Sequence, residues 1–330
     1  MLGHNINKDG EIKMIVRLGY VAISNKLGKK ATSSSTVTYS NYKKLISDEK
    51  KFEKLKTVIM SNLNGLEKHI KYNIENNIHF YRITSALIPL ITHPEVEYFD
   101  YRKMFNKDFQ YIGKLINESN MRVDTHPDEF NVINSVNLAV VESAKNTLNI
   151  HVDWFEEMNY DKGKMVMHVG GATGGKEAGI ERFINNFSTY PERIKNKVIL
   201  ENDDKTYTAS ETLKICKTLN IPMVLDIHHH NCNNNGENIF EMLDEIFNTW
   251  NKEPLPPKIH FSSPREGEFD RKHADYINGE EFVKFINSAK KINRDFDVML
   301  ECKEKDIALF KLVDDIKNNY NWIDETTFEV

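Results

Sequence analysis

The sequence predicts a single (β/α)₈ TIM barrel, and three observations support this fold class. Short runs rich in Val, Ile, Met and Leu alternate with longer amphipathic stretches along the whole chain. Eight such runs occur, each followed by a helical pattern, and no linker rich in Gly, Ser or Pro divides them. Strands that are buried on both faces and alternate with helices are typical of a closed parallel barrel. An open doubly wound sheet is the alternative, but it would need fewer strands or a second domain.

The expected elements follow from this alternation. Strands are predicted at 14–23, 78–83, 121–125, 164–169, 197–201, 222–227, 258–262 and 297–301. Helices are predicted at 48–76, 101–119, 134–149, 176–187, 209–219, 238–250, 279–292 and 304–319. The first helix follows Ser47, a good N-cap residue, and its apolar residues recur every three or four positions, so one face should pack on the barrel. We expect one catalytic domain at 14–320, a polar extension at 1–13 and a C-terminal tail at 321–330.

Composition narrows the class of protein. The 330 residues carry 44 basic and 49 acidic side chains, a net charge of −5 that does not by itself predict nucleic-acid binding. Bound divalent cations would offset negative charges at a site, however. Three scattered cysteines exclude a Cys-rich zinc module and favour a reducing compartment. With no apolar signal segment and no long apolar run, we expect a cytoplasmic protein without a membrane span.

Six consecutive predicted strands end in, or are followed by, a histidine or a carboxylate. These residues are His126, His168, Glu201, Asp226, His260 and Glu301. The carboxyl ends of barrel strands meet at one rim, where active sites of this fold lie. Packing alone does not explain the series, because an unpaired buried carboxylate costs several kcal/mol. Three His and three carboxylates suit Mn²⁺, Zn²⁺ or Mg²⁺, and sites with several ions are typical of phosphodiester hydrolysis.

Other histidines and one glycine-rich segment are less decisive. His229 lies just past the sixth strand and is a further candidate ligand, whereas His228 and His230 are less well placed. His273 lies in a charged loop, and two interpretations stay open for it: a solvated loop residue or a metal ligand. The segment 170–176 resembles part of a P-loop but continues with Glu177 instead of Ser or Thr, so no nucleotide cofactor is expected.

Motifs on nearly every predicted strand are similar to those of the UV damage endonuclease family. They are Arg17-Leu18-Gly19-Tyr20, Ser33-Ser34-Ser35-Thr36, Tyr81-Arg82-Ile83, Leu87-Ile88-Pro89, His126-Pro127, His168-Val169-Gly170-Gly171, Leu200-Glu201-Asn202-Asp203, Asp226-Ile227-His228-His229, Lys258-Ile259-His260 and Met299-Leu300-Glu301. The resemblance runs from about residue 14 to 305 in the same order. It implies a TIM barrel related to endonuclease IV that nicks UV-damaged double-stranded DNA immediately 5′ to cyclobutane dimers and (6-4) photoproducts.

The resemblance also implies roles for single residues. The implied ligands of about two or three divalent ions, commonly Mn²⁺, are His126, His168, Glu201, Asp226, His229, His260, His273 and Glu301. Glu201 would bridge two ions. Lys258 matches a family lysine that can be carboxylated beside the metals. A neutral lysine, or one turned toward a carboxylate or a phosphate, is the alternative. Tyr20 matches an aromatic residue near the DNA.

One departure from the family concerns lesion recognition. Where the family usually carries a Gln-Tyr pair that probes the duplex, this chain carries Glu129 and Phe130. The phenyl ring can still wedge between bases, but the hydroxyl is lost. Two rival functions also stay open. One is a metal-dependent sugar isomerase, which uses similar strand-end ligands, and the other is a non-catalytic protein that binds damaged DNA.

Overall fold

The computed structural model describes residues 13–330, so the predicted extension at 1–13 lies outside the described residues except for Lys13. Its centre is a closed barrel of parallel strands, which confirms the predicted fold class. The strands are β1 (Ile15–Val21), β2 (Phe80–Ile83), β3 (Arg122–Thr125), β4 (Lys164–His168), β5 (Val198–Glu201), β6 (Met223–Asp226), β7 (Lys258–Phe261) and β8 (Phe296–Leu300). Each pairs with the next in sequence order, and β1 closes the barrel by pairing with both β2 and β8.

Helices surround the barrel between the strands. They are α1 (Tyr39–Tyr42), α2 (Asp48–Glu75), α3 (Tyr101–Met104), α4 (Asn106–Glu118), α5 (Leu138–Glu157), α6 (Lys176–Ser188), α7 (Glu192–Lys195), α8 (Ala209–Leu219), α9 (Ile227–Cys232), α10 (Ile239–Asn248), α11 (Gly279–Ala289) and α12 (Lys305–Ile316). Short 3₁₀ turns lie at Lys29–Ala31 and Lys290–Ile292. The helix predicted at 134–149 is misplaced, because Asn137 caps α5 by accepting a hydrogen bond from the Ala139 amide. No residue of the described chain forms a helix that is both long and apolar enough to cross a membrane.

The residues expected to form a C-terminal tail make a small hairpin. Strand β9 (Asn321–Trp322) pairs with β10 (Thr327–Glu329), and β10 pairs antiparallel with the first half of β1. The second half of β1 pairs with β2 instead. The hairpin therefore covers the edge of β1 at the amino end of the barrel, where β2 does not reach.

Two kinds of packing hold the barrel. Apolar side chains between strands and helices form one large buried cluster. Two small apolar clusters lie on the other face of the strands. One includes Val166, Ile199 and Val224, and the other consists of Val21, Phe80 and Met299. Because side chains alternate across a strand, Ile199 shares its face with Glu201, so these clusters fill the barrel interior. Charged residues occupy the rest of the barrel interior, up to the candidate site at its carboxyl end.

Candidate metal centre at the carboxyl rim

The structure brings the six predicted strand-end residues together at the carboxyl rim of the barrel. They lie at the end of β4 (His168), β5 (Glu201) and β6 (Asp226), within β7 (His260), and directly after β3 (His126) and β8 (Glu301). The fold itself explains the convergence, since neighbouring parallel strands end side by side. His168 pairs in register with Glu201, and Asp226 pairs with His260.

Glu201 lies at the centre of the cluster, and its two carboxylate oxygens face different partners. Its Oε2 is 3.1 Å from His126 Nε2 and 3.6 Å from His168 Nε2. Its Oε1 is 2.6 Å from His260 Nδ1 and 3.6 Å from His229 Nδ1. The side chain is 1% exposed, so each oxygen is committed to its own set of neighbours. This is the arrangement that a carboxylate bridging two cations needs.

Three groups of side chains have the geometry to hold a cation, and Glu201 belongs to all of them. Within each group, one ligand atom from each residue lies within 4.8 Å of the others. The groups are His126, His168 and Glu201; Glu201, Asp226 and His229; and Glu201, His260 and Glu301. Mixed imidazole and carboxylate donors suit borderline divalent ions such as Mn²⁺ and Zn²⁺.

Asp226 shows that these residues fit a cation. Its Oδ1 accepts a hydrogen bond from the His229 amide at 2.7 Å, which caps α9 and sets the position of His229. Its Oδ2 is buried and has no hydrogen-bond partner within residues 13–330, and His229 Nδ1 and His260 Nδ1 lie 3.8 and 3.9 Å from it. Burial accordingly raises the pKa of Asp226 to about 8. A carboxylate oxygen buried without a donor is unfavourable, and a divalent cation would compensate it.

The charges of the cluster are strongly coupled. Burial would lower the pKa of His229, but Asp226, Glu201 and Glu301 outweigh burial and raise it to about 9. Burial would raise the pKa of Glu201, but His260 and His168 hold it well below its ordinary range. For His260, burial dominates and lowers the pKa to about 4. Without cations the cluster therefore retains protons, and bound divalent cations would displace them.

The loop after β7 carries His273 to the same rim. An antiparallel bridge joins Pro264 to His273, and the Ala274 amide donates to the Ser263 carbonyl at 2.9 Å. His273 Nδ1 lies 2.6 Å from the carbonyl oxygen of Glu301, and its ring centre is 6.2 Å from that of His229. A hydrogen bond from Nδ1 to a carbonyl leaves Nε2 available, which is the usual arrangement of a ligating histidine. His273 is thus at the site although it belongs to none of the three tight groups.

Arg82 is a residue of the site that sequence reasoning quoted in a motif without assigning it a role. Its Nη2 is 2.7 Å from Glu301 Oε1 and 2.8 Å from His260 Nε2. The guanidinium thus donates a hydrogen bond to Nε2 of His260, and Nδ1 of the same ring faces the carboxylates. One feature of the sequence indicates a role for Arg82: it is a charged residue inside an otherwise apolar strand, on the same face as Phe80.

Lys258 and Asp124 form a second buried layer below the rim. Lys258 Nζ makes a close ion pair with Asp124 Oδ2, and Asp124 Oδ1 lies 3.8 Å from Arg82 Nε. Burial lowers the pKa of Lys258 to about 8. Of the possibilities that the sequence left open for Lys258, contact with a carboxylate is the one present here.

The predicted DNA-facing residues divide into two groups. Glu129 and Phe130 lie in a turn on the rim, both are exposed, and the phenyl side chain is 82% exposed. Tyr20 is fully buried, and its hydroxyl donates to Asn73 Oδ1 at 2.8 Å. The prediction that Tyr20 contacts DNA is therefore wrong for this structure, because its ring packs between the barrel and α2 and reaches no surface.

A basic cleft adjoins the candidate metal centre. Its volume is about 360 Å³, and Glu301 and His273 form one wall. Four basic side chains also line it: Arg271, Lys272, Lys303 and Lys305. The sequence did not reveal them, because they are scattered over two loops and the first residue of α12, where a basic side chain has no distinguishing pattern.

Barrel geometry, buried rim carboxylates and convergent imidazoles together define an enzyme of the TIM-barrel class. The comparisons with known proteins specify which one. The family model described as UV-endonuclease UvdE matches residues 16–328, and the chain belongs to that family of endonucleases.

Individual relatives agree with this assignment. A UV DNA damage endonuclease of Bacillus cereus (strain G9842) is 42% identical over 304 residues, which cover 92% of this chain and 95% of the relative. The crystal structure of SacUVDE superposes with a TM-score of 0.81 at 33% identity, covering 92% of this chain and 99% of SacUVDE. Endonuclease IV from Thermus thermophilus, with a TM-score of 0.52 at 11% identity over 86% of this chain and 91% of its own, shares the fold alone.

Proposed function

We propose that this enzyme cleaves UV-damaged double-stranded DNA immediately 5′ to cyclobutane dimers and (6-4) photoproducts, with the help of divalent cations at the carboxyl rim. The observation that carries the proposal is the position of Glu201, which joins three groups of metal-ligating side chains in a barrel of the UvdE family. The relatives' printed names, UV DNA damage endonuclease, supply the substrate class.

The proposed ligands are the eight residues predicted from the sequence. His126 and His168 would hold a cation together with Glu201, and Asp226, His229, His260, His273 and Glu301 would hold the other cations next to Glu201. Bound divalent ions, proposed to be Mn²⁺, would activate water and neutralise the charge that develops on the phosphate. Arg82 would keep Glu301 and His260 oriented through its contacts at 2.7 and 2.8 Å.

DNA binding is proposed for the surface around the metal centre. The basic cleft would hold phosphates, and its lysines give affinity that does not depend on the lesion. The exposed ring of Phe130 would enter the base stack where a photoproduct weakens it. Glu129 beside it would face base amino groups, since its carboxylate accepts hydrogen bonds and would be repelled by phosphate.

Lys258 is proposed to support the site. Through Asp124 it continues the chain of charges that ends at Arg82 and Glu301. The carboxylated lysine implied by the resemblance would place an anion next to Asp124, so it would need cations close enough to compensate both. Intact-mass analysis of the native, Mn²⁺-loaded protein tests this: we expect an unmodified Lys258, and a carbamate adduct lost in Lys258→Ala would contradict that expectation.

A nicking assay on UV-irradiated supercoiled plasmid tests the function. We expect Mn²⁺-dependent conversion to nicked circles, abolished by a chelator and absent on unirradiated plasmid. Sequencing-gel analysis of an oligonucleotide with one cyclobutane dimer should place the break directly 5′ to it. Binding of irradiated plasmid that resists the chelator, without any nicking, would instead support a non-catalytic damage-binding protein. No effect of irradiation, together with epimerisation of a ketose, would support the sugar isomerase. The cytoplasmic location predicted from the sequence stays a prediction.

A further inference from the structure

A second polar cleft lies at the opposite end of the barrel from the metal centre. We call it the amino-end cleft; it has a volume of about 190 Å³ and is lined by residues that include Arg17, Asn120, Arg122, Tyr160, Lys162 and the segment Pro254–Pro256. Arg122 is the first residue of β3, and the proline segment leads into β7, which places the cleft at the amino ends of the strands. The proposed nicking activity gives it no role.

The lining of the amino-end cleft carries excess positive charge. Arg17, Arg122 and Lys162 line it, whereas none of the described residues in its lining is acidic. The buried carboxylate of Asp297 is shared by both arginines, with Oδ1 2.6 Å from Arg17 Nε and Oδ2 2.6 Å from Arg122 Nη1. Glu253, next to the lining prolines, is neutralised by Lys164 Nζ at 2.6 Å. Asp297 therefore pairs with both guanidinium groups, Asp295 also interacts with the charge of Arg17, and Lys162 adds a third positive charge to the lining.

Two buried hydrogen-bond donors of Arg122 at the amino-end cleft lack acceptors in the described part of the chain. The Arg122 side chain is 1% exposed, yet its Nε and Nη2 have no hydrogen-bond partner among the described residues. The rings of Phe80 and Trp250, each centred 5.0 Å from the guanidinium carbon, cover its faces but do not accept in its plane. The Tyr160 hydroxyl accepts from the Val123 amide at 3.2 Å, which leaves its own hydrogen to donate. Buried donors without acceptors are unfavourable, so an acceptor ligand would stabilise this end.

We propose that the amino-end cleft binds an oxyanion of the phosphate class. A planar guanidinium with free N–H groups matches a tetrahedral oxyanion, and charge-assisted hydrogen bonds of this kind are among the strongest in proteins. Lys162, exposed at the mouth, would contact the outer oxygens, and Arg122 and Tyr160 would contact the inner ones. The site is separate from the rim and would bind its anion without any metal ion.

Calorimetric titration of the full chain with inorganic phosphate, in the presence of a chelator, tests the proposal. The chelator keeps cations off the rim and removes phosphate binding through metal ions, and Lys162→Ala distinguishes the amino-end cleft from the basic cleft at the rim. We expect saturable binding that raises the melting temperature beyond the effect of chloride at equal ionic strength. Lys162→Ala should weaken phosphate binding at least about fivefold, the difference made by roughly 1 kcal/mol, and should leave nicking unchanged. Lys291→Ala, at an exposed lysine on the 3₁₀ turn after α11, is the matched control and should bind phosphate normally.

Two further arms make the result decisive. Thymidine 5′-monophosphate in place of phosphate distinguishes the sources of the oxyanion: equal binding identifies a small free anion, and binding of the nucleotide alone identifies the phosphate of a larger ligand. Selenate soaked into crystals should give an anomalous peak beside Arg122. The proposal is overturned if neither compound binds saturably, if Lys162→Ala binds as well as the unaltered chain, or if the anomalous peak lies elsewhere.

Discussion

The two ends of the barrel interior carry buried charges that are balanced in opposite ways. At the carboxyl rim, three carboxylates converge, one of them (Glu301) pairs with the guanidinium of Arg82, and Oδ2 of Asp226 has no donor in the described part of the chain. At the amino end, two arginines share the one carboxylate of Asp297, and two nitrogens of Arg122 have no acceptor there. The Lys258–Asp124 pair lies between the two ends.

The difference indicates which buried charges serve the fold and which serve ligands. A buried carboxylate with complete partners, such as Asp297, compensates the charges around it, and removing it leaves those charges buried and unpaired. A buried carboxylate with a missing partner, such as Asp226, destabilises the folded chain until a cation arrives. The rim thus carries clustered carboxylates whose charge suits cations, and the amino end carries surplus positive charge that suits an anion.

The largest effect is expected for Glu201→Gln, which tests whether the rim is catalytic. An amide cannot bridge cations as a carboxylate does, so nicking should fall by at least about 10³-fold, equivalent to roughly 4 kcal/mol of lost transition-state stabilisation. Nicking of irradiated plasmid with Mn²⁺ measures the effect, and circular dichroism shows whether the fold is intact. Glu266→Gln, at an exposed glutamate on the loop between β7 and α11, is the control and should nick normally. Substantial Mn²⁺-dependent nicking by Glu201→Gln would remove Glu201 from the mechanism.

The next effect concerns the amino end, where Asp297→Asn should destabilise the protein by about 3 kcal/mol. The substitution leaves two buried guanidinium groups without their shared counter-charge. Urea unfolding measures the loss, and nicking per folded molecule should stay the same. A stability within about 0.5 kcal/mol of the unaltered chain would show that Asp297 does not hold this end together.

A smaller effect separates lesion recognition from phosphate contact. Phe130→Ala should weaken binding to a duplex with a cyclobutane dimer by about 1–3 kcal/mol, the range of base–aromatic stacking. Binding to undamaged duplex should change much less, because phosphate contacts are insensitive to the lesion. Ile323→Ala removes a half-exposed apolar side chain from the C-terminal hairpin and is the control. Equal losses on both duplexes would place Phe130 in the scaffold.

The smallest effect is also the sharpest test of the comparison between the ends. Asp226→Asn keeps an oxygen to cap α9 and replaces a buried carboxyl group whose Oδ2 accepts no hydrogen bond from the described residues. Without metal ions the variant should be as stable as the unaltered chain or more stable, by up to about 1 kcal/mol, although its nicking should fall. Urea unfolding in chelator measures this stability. A loss of about 3 kcal/mol, as expected for Asp297→Asn, would contradict the proposed difference between the two ends of the barrel.

Sequence reasoning recovered the barrel because its strands are apolar runs with polar ends, a local pattern. The predicted start of α5 at 134 is too early, since apolar Ile133 and Val136 extend the helical pattern backwards through a loop and only the cap at Asn137 marks the true start. The short helix α9 was not predicted, because its six residues are too few to show a helical pattern and its start is marked only by the hydrogen bond to Asp226.

The candidate site was predictable to the extent that strand ends converge in this fold. Its six strand-end residues follow from position in the sequence alone. Arg82, Asp124 and the amino-end arginines were not assigned roles, because their partners lie on strands that are distant in sequence and no local pattern reveals a pairing across a barrel. Tyr20 was misassigned for a similar reason: a motif match does not show that α2 covers the ring.

The cation content of the rim tests the central claim most directly. The chain would be equilibrated with Mn²⁺, passed over a desalting column and assayed for metal per chain, in parallel with Glu201→Gln and Asp297→Asn. The account predicts about two or three ions per chain, a clear loss in Glu201→Gln, and no change in folded Asp297→Asn. Fewer than about two ions in the unaltered chain, or full retention by Glu201→Gln, would contradict a metal centre built around that carboxylate.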